Sequence, residues 1–261
     1  MVLSKKNKFL FSTLFRLSTT ILVLLVSSCC HNVNIPQLDY PILLSFDQFT
    51  NRLNTGDIIL FHGDSDFDGV TDYLECNSWA HVGMIIKGKN DKTYLWESTI
   101  KSKVKDVIDH ETKGGPQLVP LKDRLTNDVA IKDHSGWAAR KLQVSDTLRA
   151  SFDEALKEII YIEHEKDIPG AVDVFLEVAL GRYLKIETDE KKIFCSELMV
   201  LTYMQMGLVS KNTVPNGYEP KDFSSDSHKL KFLQQETMLS KEHYFKPVMV
   251  NGELSVRVTS D

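Results

Sequence analysis

Cysteine is scarce in this chain: four in 261 residues, with Cys29 and Cys30 side by side near the N-terminus. Only Cys76 and Cys195 remain for the rest, too few for a disulfide framework, and no Cys-x-x-Cys spacing points to zinc. Positive charge is not in surplus. Lys and Arg number 31 against 36 Asp and Glu, and they are scattered rather than striped, so no nucleic-acid partner is expected. Internal repeats and low-complexity tracts are absent. The apolar run Leu17 to Val26 falls short of the ~20 residues that a membrane-spanning helix needs.

What is present at the N-terminus is an export signal. Lys5, Lys6, Lys8 and Arg16 precede the apolar run, which ends Leu25-Val-Ser-Ser-Cys29. That ending matches a bacterial lipobox, whose cysteine takes a diacylglyceryl group before cleavage. Residues 1–29 are expected to be a signal peptide with the lipidated Cys29, residues 30–45 a tether, and residues 46–261 one domain. The location implied is the cell envelope, lipid-anchored to a membrane and facing the periplasm or exterior. An ordinary secreted protein and a signal-anchored one are the alternatives.

Along the domain, Phe46 to Leu53 reads as a short helix and Asp57 to Phe61 as a buried strand. Lys101 to His110 is a strand or loop, and Leu121 to Leu125 a short turn or helix. Val129 to Leu142 reads as an edge strand. Ser145 to His164 is expected to be one helix, capped by Ser145 or Asp146, with Leu148, Phe152, Ala155, Leu156, Ile159 and Ile160 in an apolar stripe. Pro169-Gly170 breaks it, and Ala171 to Leu184 forms a second helix. Residues 225–246 look mobile or helical, and Val248 to Val258 forms a final hairpin or strand. Strands followed by helices make an α+β domain.

Three residues carry chemistry: His81, Glu97 and Cys195. His81 opens the apolar run His81-Val-Gly-Met-Ile-Ile86, and Glu97 closes Tyr94-Leu-Trp-Glu97. Taken as a hairpin around Lys87-Gly-Lys-Asn-Asp91, these runs place Ile86 opposite Lys92, Met84 opposite Tyr94, and His81 opposite Glu97. A slip of one residue would send Glu97 to the other face. Cys195 stands at the head of a helical stretch with Leu198, Leu201, Thr202 and Met206 near helical spacing and Gly207 as its stop. A thiol on a helix's first turn sees the positive end of the dipole, and the N–H groups there can hold an oxyanion. Thiol, imidazole and orienting carboxylate are the parts of a cysteine nucleophile site. The competing readings are a His–Glu pair on a solvated sheet face, a buried structural cysteine, and a Cys76–Cys195 disulfide.

The segments His-Val-Gly-Met-Ile-Ile, Trp-Glu-Ser and Phe-Cys-Ser-Glu-Leu, in that order, resemble the permuted papain-like amidases, the YiiX-like branch of the NlpC-type cysteine peptidase superfamily. Thr55-Gly-Asp-Ile-Ile-Leu60, Gly115-Pro-Gln-Leu-Val-Pro-Leu121 and Tyr218-Glu-Pro-Lys-Asp-Phe223 resemble further segments of that family. The resemblance covers about residues 50 to 225. It implies a circularly permuted papain-like (NlpC-type) domain, a small antiparallel sheet packed on helices. It also implies that Cys195 is the nucleophile, His81 the general base and Glu97 the third polar residue. The activity implied is a cysteine-dependent peptidase or amidase working through an acyl-enzyme on a peptide or amide, cell-wall peptides included. The same superfamily includes lecithin retinol acyltransferase-like proteins, so a lipid acyl hydrolase or acyltransferase is the alternative; a catalytically inactive envelope binding module is a third. The chain departs from the family pattern before the cysteine, where Asp167-Ile-Pro-Gly-Ala-Val-Asp173 and Gly181-Arg-Tyr183 stand in place of the usual substrate-contacting segment.

No cofactor is expected, with one qualification. Asp64, Asp66, Asp68, Asp72 and Glu75 match the spacing of a calcium loop that also takes the Val70 carbonyl. The competing reading is an acidic surface loop. Trp79 and Trp96 flank the candidate site and line either a groove or the core. His31, His62, His110, His134, His164, His228 and His243 read as surface or internally satisfied residues.

Overall fold

The computed structural model describes residues 38–63, 79–89, 92–100, 103–131, 134–188 and 191–260. Cys29, Cys76 and the acidic loop Asp64 to Glu75 lie outside the described residues. The domain is built on an eight-stranded sheet in the order β1-β10-β9-β6-β2-β3-β4-β5, antiparallel throughout. Its strands are β1 (Ile42–Ser45), β2 (Ile58–Gly63), β3 (His81–Lys87), β4 (Thr93–Thr99), β5 (Gly115–Pro120), β6 (His134–Arg140), β9 (His243–Val250) and β10 (Glu253–Val258). The short strands β7 (Leu142–Gln143) and β8 (Met238–Leu239) pair separately. The class is α+β, with a sheet larger than the small one expected. The segment read as a tether contributes its last residues, Ile42–Ser45, as β1 on the sheet edge.

Helices cover both faces. On one lie α4 (Phe152–Glu163) and α6 (Cys195–Gln205), where Leu156, Ile159, Leu198, Met199 and Tyr203 bury Ile58, Leu60, Met84 and Trp96. On the other, α1 (Phe46–Thr50) and α2 (Leu121–Ile131) bring Phe49, Leu121 and Leu125 against Ile59, Phe61, Ile85 and Leu95. This two-sided burial explains the unbroken apolar run of β2: Ile58 and Leu60 serve one core, Ile59 and Phe61 the other. Trp96 is fully buried and donates through Nε1 to the Thr202 hydroxyl at 3.2 Å, and Trp79 is buried as well. Both are core residues rather than a groove wall.

Three expectations are corrected. β6 is not an edge strand but sits between β2 and β9, with Ala138 facing one core and Trp137 and Ala139 the other. The stretch Ser145 to His164 divides into α3 (Asp146–Ala150) and α4 at Ser151, whose N–H and hydroxyl both donate to the Leu148 carbonyl three residues back, at 3.1 and 2.7 Å. Ser145 caps α3 as expected. Residues 225–246 contain no helix; they run irregularly through β8 into β9. The closing hairpin β9–β10 turns on Asn251-Gly252, both at positive φ, the turn chemistry of a two-residue hairpin loop. Between α4 and α6, α5 (Ala171–Ala179) runs into a π-helical turn, Leu180–Leu184, ended by Lys185 in the left-handed region.

Candidate active site

His81 is the first residue of β3, and Glu97 lies in the adjacent strand. The register of the pair differs from expectation by two residues: Met84 faces Trp96, Ile86 faces Tyr94 and Lys87 faces Thr93. A two-residue slip preserves the side-chain alternation, so His81 and Glu97 keep a common face as diagonal rather than direct neighbours. Their side chains meet, with His81 Nε2 2.7 Å from Glu97 Oε2. The imidazole is 12% exposed and the carboxylate fully buried, so this is not a pair on a solvated face.

Cys195 begins α6, whose N-cap is the extended residue Phe194, with no side-chain cap over the first turn. The helix start is fixed by its surroundings. Ser98 Oγ donates to the Ile193 carbonyl at 2.7 Å, and Ser196 Oγ donates to the Tyr218 carbonyl at 2.9 Å. Gly207, at a φ of +72°, closes the other end. Cys195 is a half-buried free thiol, near enough to the His81 imidazole to act on its charge. Glu97 occupies Nε2, which leaves Nδ1 as the ring's second nitrogen.

The charges reinforce one another. Burial works against a charged imidazole, but the Cys195 sulfur and then Glu97 outweigh it, and His81 is raised to about 9. Burial also works against the Glu97 carboxylate. The Arg124 guanidinium and His81 override it and bring Glu97 down to about 2. Around neutral pH the arrangement therefore favours a protonated imidazole against an ionised Glu97.

Glu97 is held by residues that the sequence reading did not single out. Its Oε1 accepts from Arg124 Nε at 2.9 Å and from Gln117 Nε2 at 3.2 Å. Arg124 pairs through Nη1 with Asp128, one helical turn along α2. Gln117 stands directly opposite Glu97 in the β4–β5 register. The signals were modest: an Arg–Asp pair at i,i+4, and a glutamine in a strand that should face a core.

The segment that departs from the family pattern borders the site. Asp167 bridges Lys192 and accepts from the Ile193 N–H at 2.9 Å, which ties it to the approach to α6. Arg182 pairs with Asp222 and Glu219, while Tyr183 is 77% exposed.

One group could hold a metal ion. Asp106, Asp109 and His164 each present a ligand atom within 4.8 Å of the others. The Lys113 ammonium stands in this cluster, 3.1 Å from Asp109 Oδ2 and 2.9 Å from both His164 Nε2 and the His164 carbonyl. A cationic group of the protein thus already takes the place an ion would fill, and His164 is internally satisfied, as expected. Among the described residues no helix is long and apolar enough to cross a membrane.

No protein-family model matches the chain, and no curated protein matches it. Five chains of solved structures do. Among them is the crystal structure of the metalloprotein YiiX from Escherichia coli O157:H7, with a TM-score of 0.37 and 16% identity, the match covering 59% of this chain and 66%, just under two thirds, of that one.

Proposed function

We propose that this chain is a cysteine-dependent amide or peptide hydrolase of circularly permuted papain-like fold, acting at the cell envelope. The observation that carries the reading is the buried Glu97–His81 pair, a 2.7 Å bond from carboxylate to imidazole, with the Cys195 thiol at the head of α6 near enough to act on the imidazole's charge. In this mechanism the Cys195 thiolate attacks the carbonyl carbon of the scissile amide. The oxyanion lies against the uncapped N-terminus of α6. As the C–N bond breaks, the His81 imidazolium gives its Nδ1 proton to the leaving amine, and a thioester remains on Cys195. Water then attacks the thioester, the imidazole takes one of its protons, and the acid leaves as the thiol bond breaks. Glu97, on Nε2, fixes the ring and balances its charge. The lipobox reading of Cys29 supports a membrane-anchored enzyme in the envelope.

A second reading, transfer or hydrolysis of lipid acyl groups, is favoured by one observation. Leu176, Tyr183, Leu184 and Ile186, in the segment preceding α6, are half or more exposed or close to it. Acid-quenched mass spectrometry of the protein incubated with peptide amides and with phospholipid separates the two. A peptide acyl group on Cys195, absent from Cys195→Ala, supports the amidase. A fatty acyl group moves the assignment to lipid. Hydrolysis and adduct both absent overturn enzymatic function in favour of a binding module.

A further inference from the structure

Beside Leu121 and Leu125, the buried face of α2 carries charged residues where a helix packed on a sheet is normally apolar. Arg124 and Asp128 are both buried there, and their partners run in one direction. Asp128 accepts from Trp137 Nε1 at 3.4 Å and pairs with Arg124 Nη1; Arg124 Nε donates to Glu97 Oε1 at 2.9 Å; Glu97 Oε2 meets His81. The guanidinium lies 5.1 Å over the Phe61 ring, and that ring lies 5.2 Å from the His81 ring. Arg124 is therefore held on its edge by two carboxylates and on its face by an aromatic ring.

We propose that Arg124, clamped by Asp128, is the positioning residue of the Cys195–His81 pair: it fixes Glu97 ionised, with Oε2 turned to His81, and so keeps the imidazole protonated beside the thiol. This rests on the reading of Cys195 and His81 as a catalytic pair. Three features support it. Both donors other than His81 converge on Oε1, which leaves Oε2 to the imidazole. Gln117 turns its amide nitrogen to Glu97 although its own Oε1 is left buried without a partner, so the orientation is set by the carboxylate. And the planar guanidinium fixes two directions at once, Nε to Glu97 and Nη1 to Asp128, which a Lys ammonium, a compact charge on a flexible stem, does not. The groups facing the imidazole are Glu97 from β4 and the Cys195 thiol from α6, with Arg124 and Asp128 of α2 behind Glu97. The signs alternate from Asp128 through Arg124 and Glu97 to the imidazole. Without Arg124, a fully buried carboxylate would face another across an empty position, and the proton on His81 would pass to Glu97.

The test is an NMR titration of the His81 ring in the full-length protein in detergent, for wild type, Arg124→Gln and Arg124→Lys, with Cys195 alkylation by iodoacetamide followed against pH in the same samples. Arg124→Gln is expected to lower the His81 midpoint by about one pH unit or more, and Arg124→Lys by less. The alkylation midpoint should move up as the imidazole midpoint moves down. A His81 midpoint unchanged in a folded Arg124→Gln overturns the proposal, whatever the thiol does. If Arg124→Gln does not fold, an unchanged midpoint in Arg124→Lys does the same. A shifted His81 midpoint with a wild-type thiol that reacts only near the free-thiol range would retain the positioning of His81 and overturn the catalytic pair instead.

Discussion

Glu197 stands on the first turn of the helix that carries Cys195, and it pays no part in the chemistry above. Its Oε2 is buried without a hydrogen-bond partner. Burial first, then the nearby charge of Glu177, raises its carboxyl to about 8; Glu163 adds to this, while the Phe194 N–H and Lys166 oppose it. The folded value lies above the unfolded one. Its stabilising contribution is thus fully present below about 4.5 and is lost as pH rises through about 8. At about 1.36 kcal/mol per pH unit, that gap sets an upper bound of ~5 kcal/mol on the penalty of charging the group. Relaxation and water entry reduce it, and a figure on the order of 2 kcal/mol is expected. Glu197→Gln keeps the shape and an acceptor for Phe194 but cannot charge. Urea unfolding of both proteins at pH 4 and pH 9 isolates the term, because His81, also raised, loses stability in the same alkaline direction in both. The variant should match wild type at pH 4 and exceed it by that amount at pH 9. Equal stability at both pH values would refute the reasoning.

Other perturbations test other joints. Glu97→Ala strands Arg124 and Asp128 in the interior and should cost about 3–5 kcal/mol in urea unfolding, in excess of the simple loss of packing. Gly181→Ala places a methyl 2.6 Å from the Gly217 nitrogen, where the π-helical turn meets the 215–217 turn, and should lower stability by roughly 1–3 kcal/mol. Trp96→Phe removes the donor to Thr202 while keeping the ring, and a loss of about 1 kcal/mol is expected by the same measurement.

The parts of the fold that were legible in the sequence are those decided locally. The apolar run of β2, the stop at Gly207 and the Asn-Gly turn of the last hairpin follow from residues within a few positions of one another. The hairpin carrying His81 and Glu97 was legible in its face but not its register. Gly88 closes the loop through its N–H on the Lys92 carbonyl at 2.8 Å, and Lys87 Nζ bonds the buried Thr93 hydroxyl at 2.9 Å, which selects the pairing of Lys87 with Thr93. Nothing in the apolar pattern distinguishes two registers that bury the same faces. β6 was misjudged because its place is set by β9, which is distant along the chain. α2 was cut short for an instructive reason. The helix runs to Ile131, but the face turned to the sheet carries Arg124 and Asp128, and a buried polar network erases the apolar stripe by which helices are recognised. The same network is what holds Glu97, so the support of the candidate site was hidden by its own chemistry.

The central claim is that Cys195 and His81 act as a pair. Its most direct test is the rate of Cys195 alkylation by iodoacetamide against pH, followed by peptide mapping so that Cys76 is counted separately, in wild type and His81→Ala. The account predicts rapid labelling of Cys195 well below a pH of about 8.5 in wild type and its loss in His81→Ala. Labelling that rises only near the ordinary thiol range and is the same in both proteins would contradict it, and would make Cys195 a structural cysteine at the head of a helix.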